Sequence, residues 1–271
     1  MSRDVIGVLD SGVGGLTVVK EVKRQLPKET IYYFGDTLRC PYGPRSREEV
    51  EIFIHEIVSF LTQYPLKALV IACNTGTAAA LSSVKERLNI PVLGVIEPGA
   101  RAAIKVSHQK KVAVIGTQGT IRSKAYEEML KSIHPELHVY SLACPEFVPI
   151  VEKGLYHSAK AEQVVEKTLA PLREKEIDTL ILGCTHYPLL QHFISKTMGD
   201  GVKIISSAEE TAAELSSILY HQQLLSKEYG MKDRYFTTGS QQLFNQIAAE
   251  WFGEKVEVER VELKTLKELT T

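Results

Sequence analysis

One arrangement occurs twice in this 271-residue chain: an apolar run of β-formers, a small residue, a cysteine, then a polar cluster. The first copy is Lys67-Ala-Leu-Val-Ile-Ala-Cys-Asn-Thr-Gly-Thr77. The second is Thr179-Leu-Ile-Leu-Gly-Cys-Thr-His-Tyr-Pro-Leu-Leu190, and its Cys184 follows Cys73 by 111 residues. A short apolar run closed by a breaker and polar residues reads as a buried strand with a functional loop at its carboxyl end. In open α/β sheets, ligands bind beyond those ends.

The repetition extends further. Val5–Leu9, ending in Asp10-Ser-Gly-Val-Gly-Gly-Leu16, returns as Lys111–Ile115, ending in Gly116-Thr-Gln-Gly-Thr120. Thr30–Phe34, leading to Cys40-Pro41, returns as His138–Leu142, leading to Cys144-Pro145. Val92–Ile96, ending in Glu97-Pro-Gly99, returns as Lys203–Ser206. Four strands matched in the same order point to an internal duplication. Helices are expected between them, over Thr17–Gln25 and Thr75–Leu88. Another is capped by Ser46, with Glu48 and Glu49 in its first turn and an apolar stripe of Ile52, Ile57, Phe60 and Leu61.

Alternating strands and helices imply a parallel or mixed sheet covered on both faces. The expected fold is therefore α/β, with two pseudo-symmetric domains and a site in the cleft between them. A tail without a partner in the repeat carries a helix near 208–224, a linker at Lys227–Gly230, a strand over Tyr235–Thr238, a helix to Phe252 and a strand over Val256–Val261. It is expected to rejoin the first domain, giving 1–97 plus 208–271 and 98–207.

The net charge of −1 gives no pull toward nucleic acid or an anionic membrane surface. No apolar run approaches the roughly 20 residues that a membrane helix needs. The opening Met1-Ser-Arg-Asp4 does not read as a signal peptide. The four cysteines, at 40, 73, 144 and 184, form no CxxC pair, which suits a reduced, cytoplasmic protein.

Buried cysteine is commonly just a small core residue. The matched placement of Cys73 and Cys184 favours chemistry instead. Cys40 and Cys144 also match each other, but each precedes proline with no evident base nearby, and both read as structural. Zinc accepts two cysteines and a histidine, yet Cys73, Cys184 and His186 lack a fourth ligand, so no metal is expected. The loop Asp10–Gly15 has neither Walker nor GxGxxG spacing. Its N–H groups could hold a carboxylate, while the bland alternative is a tight turn. Asp36, Glu97 and Glu152, taken singly, read as caps or solvated charges. Ser11, Tyr42, Gly43, Asn74, Thr75, Thr117 and Thr185 offer hydroxyls, an amide and N–H groups, a nearly neutral set suited to a zwitterion.

Two opposed thiols suit proton transfer at a stereocentre, one face losing a proton to a thiolate while the other gains one from a thiol. The thiol reference pKa of about 8.5 is within reach of neutrality. Asp10 and His186 stand at the right strand ends to assist. The developing carbanion needs preorganised donors. No lysine follows these strand ends to hold pyridoxal.

The segments Asp10–Leu16, Gly35–Gly43, Ala72–Thr75, Gly94–Gly99 and Gly183–Leu190 together resemble the cofactor-independent aspartate/glutamate racemase family, over nearly the whole chain. Gly76 is a minor departure, where many members carry a bulkier residue. The resemblance implies interconversion of L- and D-glutamate, supplying D-glutamate for peptidoglycan. It implies Cys73 and Cys184 as the acid/base pair, Asp10 and His186 as their helpers and Glu152 as a supporting acid. Ser11, Tyr42, Gly43, Asn74, Thr75 and Thr185 become substrate contacts, joined by Asp10, Thr117 and His186. No cofactor is implied, the partner is a small molecule, and a homodimer is left open. Members activated by a cell-wall precursor carry an N-terminal extension, so no such activation is expected here. The competing readings are a relative acting on aspartate, a hydantoin or a malonate, and a two-lobed amino-acid-binding protein.

Overall fold

The computed structural model describes residues 5–253 and 255–270. Met1–Asp4, on which the signal-peptide reading rests, lie outside them. The strands are β1 (Val5–Asp10), β2 (Thr30–Gly35), β3 (Leu66–Ile71), β4 (Val92–Gly94), β5 (Lys111–Gly116), β6 (His138–Ala143), β7 (Thr179–Gly183), β8 (Lys203–Ser206), β9 (Arg234–Thr237) and β10 (Val258–Arg260). They form two sheets, ordered β10-β9-β2-β1-β3-β4 and β6-β5-β7-β8. Every pairing is parallel. Without the two tail strands, the first sheet reads β2-β1-β3-β4, which is the second sheet counterpart for counterpart.

The first repeat carries helices α1 (Leu16–Gln25), α2 (Arg47–Leu61) and α3 (Asn74–Arg87). The second carries α4 (Ile96–Val106), α5 (Gln118–Arg122), α6 (Ala125–Ile133), α7 (Phe147–Glu152), α8 (Ala159–Arg173) and α9 (Gln191–Met198). The tail holds α10 (Ser207–His221), α11 (Gln241–Phe252) and α12 (Leu263–Glu268).

Side chains alternate across a strand, and β1 shows what this does. Ile6 and Val8 join a core with Val18 and Val22 of α1 and Ala212, Leu215 and Leu219 of α10. Val5 and Leu9 face the opposite core, with Ile54 and Ile57 of α2 and Ala80 and Val84 of α3. The second sheet is covered the same way. Ala113 and Ile115 of β5 lie on one side, and Val112 and Val114 pack against Ile96, Ala100 and Ala103 of α4 on the other.

Three expectations are corrected. Ile52 is 58% exposed. The buried stripe of α2 runs Val50, Ile54, Ile57, Leu61, at helical spacing, and Ile52 falls outside it. The strand expected to reach Ile96 ends at Gly94, and Pro98-Gly99 lies inside α4. Proline is tolerated in a first turn because the N–H it lacks has no intrahelical partner there. The helix expected to reach Leu224 ends at His221.

Ser46 caps α2 by accepting a hydrogen bond from the Glu49 N–H at 3.1 Å. Ser46→Ala should lower stability by about 1 kcal/mol, read as a lower denaturant midpoint at unchanged slope.

At the amino end of β3, remote from the cysteine, Lys67 is buried against Glu29, and each is 2% exposed. Lys67 Nζ also donates to the Leu224 carbonyl at 2.8 Å and Ser226 Oγ at 2.9 Å. Glu29 accepts from the N–H of Ser226 at 2.8 Å and its hydroxyl at 2.9 Å. The pair thus pins the chain leaving α10 to the amino end of β3.

Candidate active site

The loops after β1, β2, β3, β5 and β7 converge between the two sheets. They close around a narrow void, with free space of only about 10 Å³, lined by Ser11, Pro41, Tyr42, Gly43, Cys73, Asn74, Thr75, Thr117, Val148, Cys184, Thr185 and His186. Asp10 and Glu152 do not line it. Asp10 is fully buried behind Ser11, and Glu152 stands behind His186.

Cys73 leaves β3 in an extended conformation and caps α3, its Sγ accepting from the Gly76 N–H at 3.3 Å. It also donates to Ser11 Oγ at 3.6 Å. Burial, then the charge of Asp10, pushes this thiol up to about 12, although the Gly76 and Ser11 hydrogen bonds pull the other way. At rest it therefore carries its proton.

Cys184, at the end of β7, has different company. Its Sγ lies 3.7 Å from His186 Nδ1, and His186 Nε2 lies 2.5 Å from Glu152 Oε1. Burial alone would lower the His186 pKa. Hydrogen bonds with Cys184, Cys40 and Glu152, together with the Glu152 charge, outweigh it and hold the imidazole well above its ordinary value. Burial would likewise raise Glu152, but the His186 contact and the Val13 N–H hold it below the usual carboxylate range. The two form an imidazolium–carboxylate pair, with a proton available at the nitrogen facing Cys184.

Asp10 accepts from the Gly12 N–H at 3.0 Å and from the Thr185 hydroxyl at 3.1 Å, and so ties the loop after β1 to the Cys184 loop. Burial raises its pKa, with His186 opposing. Two N–H groups of the 10–15 loop do hold carboxylates, but from within the chain. The Gly12 and Val13 N–H groups are taken by Asp10 and Glu152, carboxylates of the chain itself. The glycines serve close approach instead. A Cβ on Gly14 would lie 2.5 Å from both His186 Nδ1 and Thr185 Oγ1. At the Gly76 departure, an added Cβ would meet the tip of Ile54 at 2.8 Å and the Cβ of Cys73 at 3.3 Å.

Asp36 is no solvated charge. It is fully buried, accepting from Arg39 Nε at 2.6 Å, Thr238 Oγ1 at 2.8 Å and Tyr42 OH at 2.5 Å. This network holds the Tyr42-Gly43 loop against the void. Glu97 fits its bland reading, paired with Arg101 at 2.6 Å. Thr75, Thr117 and Thr120 form a hydroxyl triangle, with Thr75 2.8 Å from Thr117, that joins α3 to α5.

Two residues escaped the sequence reading. Tyr126 donates to Asn74 Oδ1 at 2.7 Å and so orients the amide. Asn74 Nδ2 is then left buried with no partner among the described residues. Only proximity in space reveals Tyr126, 52 residues away. Cys40 does have a base beside it, contrary to expectation: its Sγ lies 3.7 Å from Glu152 Oε1. The Cys144 thiol donates to the Leu142 carbonyl at 3.8 Å, and the side chain packs in the core. The donors of Cys40, Glu152 and His186 lie within 4.8 Å of one another, the one such group among the described residues. The set weighed from sequence, Cys73, Cys184 and His186, is not one.

The sequence model of the Asp/Glu/hydantoin racemases matches residues 6–215. A glutamate racemase of Listeria monocytogenes is 55% identical over 250 residues, covering 92% of this chain and 94% of that protein. The crystal structure of a Bacillus anthracis glutamate racemase superposes with a TM-score of 0.94 at 56% identity, covering 97% of this chain and 99% of that one. A Francisella tularensis glutamate racemase, solved with D-glutamate, gives a TM-score of 0.90 at 36% identity over 98% of this chain and all of that one. With the two loops that hold its thiols inside the matched region, the chain belongs to the aspartate, glutamate and hydantoin racemase family.

Proposed function

We propose that this chain interconverts L- and D-glutamate by moving a proton at Cα between two thiols, without a cofactor, and so supplies D-glutamate for peptidoglycan in the cytoplasm. The observation that carries the reading is that Cys73 and Cys184, at the ends of the equivalent strands β3 and β7, line one void. By resemblance, Cys73 takes the proton from D-glutamate and Cys184 from L-glutamate. The names of the relatives support glutamate as the substrate.

The residues then have distinct tasks. Asn74 Nδ2 is a donor that a substrate carboxylate would satisfy, and a buried unpaired donor costs about 1–3 kcal/mol. Ser11, Tyr42, Gly43, Thr75, Thr117 and Thr185 supply the remaining polar wall. A substrate ammonium group would offset the Asp10 charge that bears on Cys73, bringing that thiol nearer to use as a base. The His186–Glu152 pair holds a proton for Cys184. Residues 1–97 with 208–271 form one lobe in this reading, and 98–207 the other.

Following the circular dichroism of L-glutamate tests the function. The signal should decay to zero, and dialysis against a chelator should leave the rate intact. Equal turnover of L-aspartate, or no turnover of L-glutamate, would refute glutamate as the substrate.

A further inference from the structure

We infer that Cys40, Glu152 and His186 form a binding site for a borderline-soft divalent ion of the Zn²⁺ class, bridging the two lobes, and that its occupancy inhibits the enzyme. Cys40 comes from the loop between β2 and α2, Glu152 from the end of α7, and His186 from the loop after β7. Their donor atoms all lie within 4.8 Å of one another. Thiolate, carboxylate and imidazole are the ligand types that zinc takes, at about 2.0–2.3 Å, so its donors stand roughly 3.3–3.6 Å apart in a tetrahedron. Cys40 Sγ and Glu152 Oε1 are already 3.7 Å apart. Glu152 Oε1 and His186 Nε2 are closer, at 2.5 Å, because a proton lies between them. A metal replaces that proton and spreads the pair.

The charge balances. A thiolate and a carboxylate neutralise a dication, with imidazole as the neutral third ligand. Binding forms three bonds to the metal and releases two protons to buffer, one from Cys40 and one from the His186–Glu152 pair. The ligands are also braced as metal ligands usually are. The Val13 N–H donates to Glu152 at 3.2 Å, and Thr185 Oγ1 lies 3.4 Å from His186 Nδ1. Gly12 leaves the room they occupy, since a Cβ there would lie 2.3 Å from Glu152 Oε1 and 3.1 Å from Cys40 Sγ.

Inhibition follows from what the metal removes. His186 faces Cys184 with its other nitrogen, and a metal on Nε2 takes away the direct Glu152 contact that fixes the ring beside that thiol. The site lies behind the void, since Cys40 is not among the residues lining it. The inhibition rests on the racemase reading, whereas the binding does not.

The test uses the whole protein, stripped with a chelator and titrated with Co²⁺, whose thiolate bond gives a near-ultraviolet charge-transfer band. One equivalent should bind with that band. Cys40→Ser and Cys40→Ala, shown folded by circular dichroism, should lose the band, while Cys73→Ser and Cys184→Ser should keep it. Zn²⁺ should inhibit glutamate turnover reversibly. The concentration for half-inhibition should rise more than about 10-fold in C40S, since losing even an outer partner costs 10–100-fold. No cobalt band in the wild type, a band that survives C40S, or one lost in C73S or C184S would overturn the site. A cobalt band in a protein that does not turn over glutamate would uphold the site and refute the racemase reading alone.

Discussion

Replacing Cys184 by serine should slow racemisation of glutamate by roughly 10²–10⁴-fold, the usual contribution of a positioned acid–base group. That is about 2.7–5.5 kcal/mol of barrier. Cys73→Ser should do the same. A serine hydroxyl fits the space, so substrate should still bind, but it is far too weakly acidic to replace a thiol on either face. The loss belongs in kcat more than in KM. Isotope placement separates two bases from one. In deuterated water, the wild-type product should carry deuterium at Cα while unreacted L-glutamate stays nearly unlabelled at early times. A single shared base would label both pools alike. Rapid early labelling of L-glutamate, or near-normal turnover by C184S, would defeat the assignment.

Lys67→Ala should destabilise the protein by about 3–5 kcal/mol, as removing one partner of a buried ion pair does. Glu29 would lose its ion-pair partner at 2% exposure, keeping its bonds from Ser226. The void is far from this substitution, so any folded fraction should keep its KM. Equilibrium urea unfolding gives the stability, and Glu29→Gln in the same chain should recover part of the loss by replacing the stranded carboxyl group with a neutral amide. A loss under about 1 kcal/mol, the range of surface pairs, would show that water reaches the site.

The duplication made most of the fold legible, because each buried parallel strand announces itself as an apolar run closed by a polar loop. Strand edges and helix starts were harder. Pro98-Gly99 looks like a loop because the chain does not say that proline is harmless in a first turn, and Ile52 joined a stripe that only register could deny it. At the site, residues on strand ends could be read because they sit beside their motifs. Cys40 and Tyr126 could not, since their roles come from neighbours distant in sequence: Glu152 and Asn74. Local pattern gives an acid and a thiol, and only the fold makes them neighbours.

The two thiols occupy equivalent places but unequal surroundings, Cys73 on a helix cap beside Ser11 and Cys184 beside an imidazolium. Unequal surroundings mean unequal bases, so turnover of the two enantiomers need not match. Mirror-image molecules, however, have identical free energies in water, and the equilibrium constant must be one. Whatever advantage the histidine gives one direction in kcat must return as an equal factor in KM, leaving kcat/KM the same for both hands. The fold's broken symmetry can therefore set which enantiomer saturates the enzyme first, but it cannot tilt the final mixture.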